Sequence, residues 1–177
     1  NVTAINNYTF YNCDYLAEIY MSNNITMIGN YAFYGCGNIV KFNSNKAFDM
    51  QIPAMCETIG EYAFYSVNLI KYVTVPNSVT SMSNYVFNRM TSLEELTIPF
   101  IPGDDTDSIG IGCLFTNSSS SITGMYQGGG SSNNYRVPST LTKINITNTT
   151  SIPNYAFYNM SKLVEVNIPT DITTLGS

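Results

Sequence analysis

Apolar residues recur along the chain in triplets spaced L-x-x-V-x-I: Leu16/Ile19/Met21, Ile70/Val73/Val75, Leu93/Leu96/Ile98, Leu141/Ile144/Ile146 and Leu163/Val166/Ile168. The last two members of each triplet alternate, which is the period of a strand with one face buried. Pro76, Pro99 and Pro169 follow their triplets directly, and Pro53 follows Ile52 in the same way. Proline has no N–H to give to a ladder, so it ends each strand at one height. A second apolar pair comes next (Ile25/Ile28, Val79/Met82, Ile172/Leu175), closing on Asn6, Gly29, Gly60, Ser83 or Gly176. Those closing residues predict a tight left-handed turn. The following Tyr-Ala-Phe stretch predicts a short helical turn.

The stretch itself is a repeat. Asn7-Tyr-Thr-Phe-Tyr returns as Asn30-Tyr-Ala-Phe-Tyr, Glu61-Tyr-Ala-Phe-Tyr, Asn84-Tyr-Val-Phe-Asn and Asn154-Tyr-Ala-Phe-Tyr. Units 7–29, 61–83 and 154–176 are each 23 residues long. That length lies within the window of roughly 20–29 residues for leucine-rich repeats. Unit 30–60 is longer by an insertion around 44–51, and the pattern turns irregular at about 100–135. One unit cannot bury its apolar side alone, and stacked units share a continuous core. The expected fold is therefore a single β-rich leucine-rich-repeat solenoid over 1–177, with about six stacked coils, parallel strands and little regular helix. The pattern runs to both ends without a polar capping unit. The chain therefore reads as a fragment of a longer array, or as a unit whose ends meet other chains.

The string I-G-x-Y-A-F-Y-x-C-x-x-L-x-x-V-x-I-P-x-x-V-T resembles the BspA-type (Treponema-type) leucine-rich repeat. Ile28 to Cys36 and Ile59 to Tyr65 follow it nearly residue by residue, and the resemblance extends from Val2 to Leu175. It implies a secreted or cell-surface protein, often bacterial, of a family whose members commonly act as adhesins or interaction modules. The family has no catalytic motif to carry over. The chain departs from the pattern between Phe100 and Asn134, where a Ser/Gly-rich run interrupts it.

Composition narrows the chemistry. The chain has no histidine, so it has neither a Ser-His or Cys-His nucleophile pair nor the commonest metal ligand. Charged residues are 11% and net charge is −5, with seven Lys and Arg spread thinly. No basic patch for nucleic acid can be assembled. No run of about 18 apolar residues spans a membrane. Solubility rests on Asn, Ser and Thr.

Four features tempt a functional reading, and each has a plainer one. Cys13 and Cys36 share a column with Val67, Met90 and Met160; Cys56 stands with Ile25, Val79 and Ile172; Cys113 adjoins Leu114-Phe115. They read as small buried hydrophobes, a Cys13–Cys36 disulfide being the alternative. The acidic stretch 103–110 lacks the closing Glu of a calcium loop and reads as a solvated turn. Seven N-x-S/T sequons are close to what composition produces by chance and do not argue for glycosylation. Tyr8, Tyr31, Tyr62, Tyr85 and Tyr155, with Tyr11, Tyr34, Tyr65 and Tyr158, form two columns that bracket a Phe column (Phe10, Phe33, Phe64, Phe87, Phe157).

Strand alternation turns one further set outward: Tyr20, Lys41, Asn43, Tyr72, Thr74, Glu95, Thr97, Lys143, Asn145, Glu165 and Asn167. One column of this face reads Glu18, Lys41, Tyr72, Glu95, Lys143, Glu165, so that neighbours pair as ions. Glu95 and Glu165 stand near the spacing of a glycosidase pair, but Lys143 lies between them. This varied face on a fixed scaffold is the expected ligand-binding surface. The expected function is non-enzymatic binding of a protein or glycan on a host or neighbouring cell, at the cell surface or outside it. No cofactor or metal is called for. The rival expectation is a structural unit whose uncapped ends self-associate into a fibre or stalk.

Overall fold

The computed structural model describes residues 2–102, 110–116, 125–127 and 135–176. The chain opens on β1 (Ala4–Ile5). Coil 7–29 adds β2 (Glu18–Ile19) and β3 (Met27–Ile28). Coil 30–60 holds three strands, β4 (Lys41–Phe42), β5 (Asp49–Gln51) and β6 (Thr58–Ile59). Coil 61–83 returns to two, β7 (Tyr72–Thr74) and β8 (Ser81–Met82). The irregular region runs through β9 (Glu95–Ile98), a 3-10 helix at Ile111–Leu114, β10 (Met125–Gln127) and β11 (Val137–Pro138). Regular coils resume with β12 (Lys143–Ile146) and β13 (Ser151–Ile152), then β14 (Glu165–Asn167) and β15 (Thr174–Leu175).

Two parallel ladders follow from the two apolar segments of each coil. The triplets build a seven-stranded sheet in the order β2-β4-β5-β7-β9-β12-β14, and the apolar pairs build β1-β3-β6-β8 and β13-β15. A short antiparallel pair, β10-β11, stands apart. Members of each triplet point inward, so Val73 and Val75, Leu96 and Ile98, and Ile144 and Ile146 are buried.

The Tyr-Ala-Phe stretch is not a helical turn but a third ladder. Alternate amides leave the coil: Tyr8, Phe10 and Asn12 donate to Asn30, Ala32 and Tyr34 carbonyls of the next coil at 3.0, 2.8 and 2.7 Å. The amides between them, Thr9, Tyr11 and Cys13, turn back to Asn6, Tyr8 and Phe10 carbonyls. Every amide of the segment is thereby satisfied, as burial of backbone requires. This alternation needs left-handed residues, and they are the tyrosines. Tyr8, Tyr31, Tyr62, Tyr85 and Tyr155 have φ between 53° and 63°, and a second left-handed residue follows four positions on at Asn12, Gly35, Ser66, Arg89 and Asn159.

The expected left-handed turn at Asn6, Gly29, Gly60, Ser83 and Gly176 is therefore displaced, since none of these has positive φ. The glycines serve close approach instead. A Cβ on Gly29 would lie 2.6 Å from the Asn7 amide nitrogen, and one on Gly60 would lie 2.7 Å from the Gly29 carbonyl carbon. Asparagine secures the same junction. Asn7 Oδ1 accepts the Asn30 amide at 2.8 Å, and Asn30 Oδ1 accepts the Glu61 amide at 2.9 Å.

Aromatic columns run through the stack. Phe10, Phe33, Phe64 and Phe87 have ring centroids 5.0, 5.5 and 6.0 Å apart in succession. The next ring after Phe87 is Phe115, at 6.3 Å, in place of the expected Phe157. The helix at Ile111–Leu114 occupies the position of a Tyr-Ala-Phe segment there, with Cys113 and Leu114 carbonyls accepting from Tyr85 and Phe87 amides. Cys36, Cys56 and Cys113 are buried, Cys13 is half-buried, and all four are free thiols. Burial pushes the thiols of Cys36 and Cys56 up to about 11 and that of Cys113 up to about 12.

Candidate functional site

The outward face of the seven-stranded sheet carries the expected residues in two rows, with the exception of Asn43. Register fixes the first: Glu18 opposite Lys41, Lys41 opposite Asp49, Asp49 opposite Tyr72, Tyr72 opposite Glu95, Glu95 opposite Lys143 and Lys143 opposite Glu165. Gln51, Thr74, Thr97, Asn145 and Asn167 follow one another in the second. Tyr20 lies beside its start, but Asn43 leaves the face: at a φ of 50° it breaks the alternation, its Oδ1 accepts the Met21 amide at 2.7 Å and its amide nitrogen is buried, so it is not presented to a ligand.

Asp49 and Gln51 are the members that sequence reasoning missed. The insertion 44–51 is not merely a loop, because β5 enters the sheet between β4 and β7. Lys41 is thus separated from Tyr72 by one strand, correcting the expected column. A signal was present: Met50-x-Ile52-Pro53 copies the Val73-x-Val75-Pro76 ending of the next coil.

Ion pairs organise the first row. Lys41 Nζ lies 2.9 Å from Glu18 Oε1, and Lys143 Nζ lies 3.5 Å from Glu95 Oε1 and 3.4 Å from Glu165 Oε1. Hydrogen bonding to Lys41 lowers the Glu18 carboxyl, and the charges of Glu95 and Glu165 raise Lys143. Lys143 therefore stays an ammonium. The same lysine stands between Glu95 and Glu165 and pairs with both, the arrangement expected to keep them from serving as the acid and base of an inverting glycosidase. Glu94, beside Glu95 in sequence, faces elsewhere, accepting from Lys71 Nζ at 2.8 Å and from the Tyr72 hydroxyl at 3.3 Å.

At β5 the face deepens into a recess of about 310 Å³ lined by Lys46, Asp49, Gln51, Tyr72, Glu95 and Thr97 among others. Asp49 is only 5% exposed. Its carboxylate accepts from the Ser44 hydroxyl and from Gln51 Nε2, the latter at 3.1 and 3.0 Å. Gln51 Nε2 also reaches Thr74 Oγ1 at 3.3 Å. Asn145 Nδ2 donates to Glu95 Oε1 at 2.8 Å and to Thr97 Oγ1 at 2.9 Å.

The tyrosine columns lie on another surface and are packed ring on ring, with Tyr8–Tyr31, Tyr31–Tyr62 and Tyr62–Tyr85 centroids 5.0, 5.3 and 5.0 Å apart. The second column stacks Tyr11, Tyr34 and Tyr65, and the Arg89 guanidinium stands 5.6 Å above the Tyr65 ring. Their faces are spent on one another, as the plainer reading expected. Among the described residues no group of three metal-ligating side chains occurs, and no helix is long and apolar enough to cross a membrane. The acidic stretch 103–109 and most of the Ser/Gly-rich run lie outside the described residues.

Stacked two-ladder coils with a third ladder of Tyr-x-Phe segments define a leucine-rich-repeat solenoid with one variable polar face. A family model for the BspA type leucine rich repeat region matches six copies over residues 42–125 and 131–177. The chain belongs to that family. Its fold is similar to the leucine-rich-repeat protein TpLRR of Treponema pallidum, with a TM-score of 0.62 at 19% identity, covering 99% of this chain and 67% of that one. Two further structures, a leucine-rich-repeat protein of Bacteroides ovatus and a leucine-rich cell surface protein of Faecalibacterium prausnitzii, match at TM-scores of 0.44 and 0.45 and identities of 18% and 22%. Each covers 99% of this chain, which spans 55% of theirs. Comparison with curated proteins gives no match.

Proposed function

We propose that the chain is a non-enzymatic, adhesin-like recognition module, displayed at a cell surface or secreted, that binds a protein or glycan partner through the outward face of its seven-stranded sheet. The observation that carries this reading is the contrast between constant and varied positions. Inward positions repeat Phe, Ile, Val and Leu from coil to coil, while the first outward row changes from each strand to the next among Glu, Lys, Asp and Tyr, the second runs through Gln, Thr and Asn, and both are held in register by the ladder. A rigid sheet presenting ordered, differing side chains pays little ordering entropy on binding. Family membership supports a binding role.

The test is binding of the purified chain to arrayed extracellular-matrix proteins and glycans by surface plasmon resonance. Tyr72→Ala and Glu95→Ala are expected to weaken binding to any partner found. Unchanged affinity in both variants would show that the face is misassigned.

One observation favours a second reading. The last described coil carries an apolar recess of about 620 Å³ lined by Ile152, Tyr155, Phe157, Val166, Ile168 and Leu175 among others. Coil-on-coil contact there would extend the solenoid into a fibre or stalk. Light scattering coupled to size exclusion separates the two: mass that grows with concentration supports end-to-end assembly, and a constant monomer mass opposes it.

A further inference from the structure

We infer that the recess built by the inserted strand β5 is a saccharide subsite, taking an uncharged hexose-type ring against the face of Tyr72. The inference rests on the binding-module reading and names its ligand.

Three observations converge on it. The first is the state of the ring. Tyr72 is 39% exposed, and its hydroxyl is anchored to Glu94 Oε2 at 3.3 Å. No aromatic ring stacks on it among the described residues, whereas Tyr31, Tyr62 and Tyr34 are stacked by rings on both sides and Tyr65 lies between the Tyr34 ring and the Arg89 guanidinium. An aromatic pinned at one edge with a free face is a platform for the C–H face of a sugar, whose axial hydrogens meet the negative face of the π-system.

The second is the placement of polar groups around that platform. A sugar hydroxyl both donates and accepts, so its site needs fixed donors and fixed acceptors side by side. Gln51 spends its amide N–H on Asp49 and Thr74, leaving its Oε1 acceptor without a hydrogen bond among the described residues. Thr74 and Thr97 accept through Oγ1 from Gln51 and Asn145, and each keeps a hydroxyl proton to donate. Glu95 uses Oε1 for Asn145 and Lys143, leaving Oε2 as an acceptor. Lys46 contributes an ammonium from the excursion between β4 and β5. Gln51, Thr74, Thr97 and Glu95 are held by their own second bonds, so little entropy is lost on binding.

The third is size and charge. A recess of about 310 Å³ is at the low end of the range of roughly 300–1,000 Å³ for small-ligand sites, which suits one ring and part of a second. Its walls carry Asp49 and Glu95 against Lys46, an excess of one negative charge, so an acidic sugar is disfavoured. An apolar anchor pocket of the kind that dominates protein interfaces is lacking there, which sets the recess apart from a peptide site.

The experiment is saturation-transfer-difference NMR on the full chain with three neutral probes, the methyl glycosides of glucose, galactose and N-acetylglucosamine, and with sialyllactose as the anionic probe. At least one neutral glycoside is expected to bind with millimolar affinity, with transfer strongest at the ring C–H protons. Tyr72→Ala should weaken it about tenfold or more, whereas Tyr72→Phe, which keeps the ring, should retain it, and Tyr15→Ala, an exposed ring outside both the recess and the outward rows, should bind as the parent does. Unchanged melting of Tyr72→Ala separates lost contact from lost fold. Binding of no neutral glycoside, preference for sialyllactose, or indifference to Tyr72→Ala overturns the inference. If a partner protein binds the face and depends on Tyr72 and Glu95 while no glycoside does, the saccharide inference falls and the module reading stands. If glycosides bind as expected but no array partner is found, the saccharide site stands and the adhesin reading falls.

Discussion

Truncation of one ring in the central column measures how the solenoid stores its stability. Phe64 is fully buried, stacked on Phe33 at 5.5 Å and Phe87 at 6.0 Å, with Phe42 edge-on at 5.3 Å. Buried Phe→Ala changes cost about 3–5 kcal/mol, depending on how far the surroundings collapse into the void. Collapse is restricted here, because the coils above and below are held apart by ladder bonds, Phe33 amide to Ala63 carbonyl at 2.8 Å and Phe64 amide to Val86 carbonyl at 2.9 Å. Three ring pairs disappear as well, each worth about 0.5–1.5 kcal/mol beyond its area. Phe64→Ala should therefore sit at the upper end, about 4–5 kcal/mol. At about 2–4 °C per kcal/mol for a chain of this size, melting should fall by roughly 10–15 °C. Phe10→Ala is the internal control. Phe10 is partly buried and stacks on Phe33 at 5.0 Å with no ring beyond it, so about half the effect is expected. Urea unfolding followed by circular dichroism gives both values. A loss below about 2 kcal/mol for Phe64→Ala, or equal losses for the two, would show that the column is not the rigid core described.

Gly60→Ala should destabilise by about 2 kcal/mol or more, because its Cβ would press on the backbone of the coil before it, whereas Gly37→Ala meets nothing nearer than 3.5 Å and should be neutral or slightly stabilising; equal thermal shifts for the two would refute the close-approach account. On the alkaline side, burial raises Cys36 and Cys56 to about 11, Cys113 to about 12 and Tyr34 to about 12 from ordinary values of 9.0 and 10.0. Folded values above unfolded ones mean stability fully present below pH 9.0 and lost progressively towards pH 12, so melting should be unchanged up to pH 9.0 and fall beyond it. A melting temperature flat to pH 12 would contradict this.

The inward pattern was legible because packing imposes a period. Val73 and Val75, Leu96 and Ile98, and Phe33 and Phe64 all sit where alternation and repeat phase place them. The outward rows were equally legible, since alternation that buries Leu96 must expose Glu95 and Thr97. Backbone conformation was not. Tyrosine carries a Cβ that disfavours positive φ, so no propensity points to Tyr31 or Tyr62 as left-handed, and glycine at Gly29 and Gly60 points to the wrong residue. Tyr8, Tyr31 and Tyr85 give their amides to the next coil from that conformation, partners that a single unit does not reveal. Asn30 is similar, since its role is to receive the Glu61 amide from outside its own coil. At β5 the obstacle was composition. The polar run Asn43-Ser44-Asn45-Lys46 precedes the turn at Ala47-Phe48 and hides the strand that follows.

That insertion allows one last prediction, because removing it restores the repeat. Deletion of 44–51 joins Asn43 to Ile52 and leaves Ile39-Val-Lys-Phe42-Asn43-Ile52-Pro53, which is the L-x-x-V-x-I-P pattern of the neighbouring coils. On the other side of the stack no strand matches β5, since β3 pairs directly with β6 through Met27 and Thr58. The aromatic ladder likewise advances by one step there, with Phe33 on Phe64. The outer sheet thus takes two strand spacings, about 9.6 Å, where the other ladders take one of about 4.8 Å. A wedge of one strand opens the outer face at the recess, and the shortened chain closes it. The deletion gives up the burial of Met50, about 1.5–3 kcal/mol, but also the ordering of eight residues, so the variant should remain folded. Lys41 would then stand opposite Tyr72, as the unbroken repeat requires, and Lys46, Asp49 and Gln51 would be gone. A cooperative melt within about 3 kcal/mol of the parent, together with lost glycoside binding, is the expected result. Loss of cooperative melting would show that β5 is needed to fill the core between Phe42 and Val73. Retained glycoside binding would place the subsite away from the inserted strand.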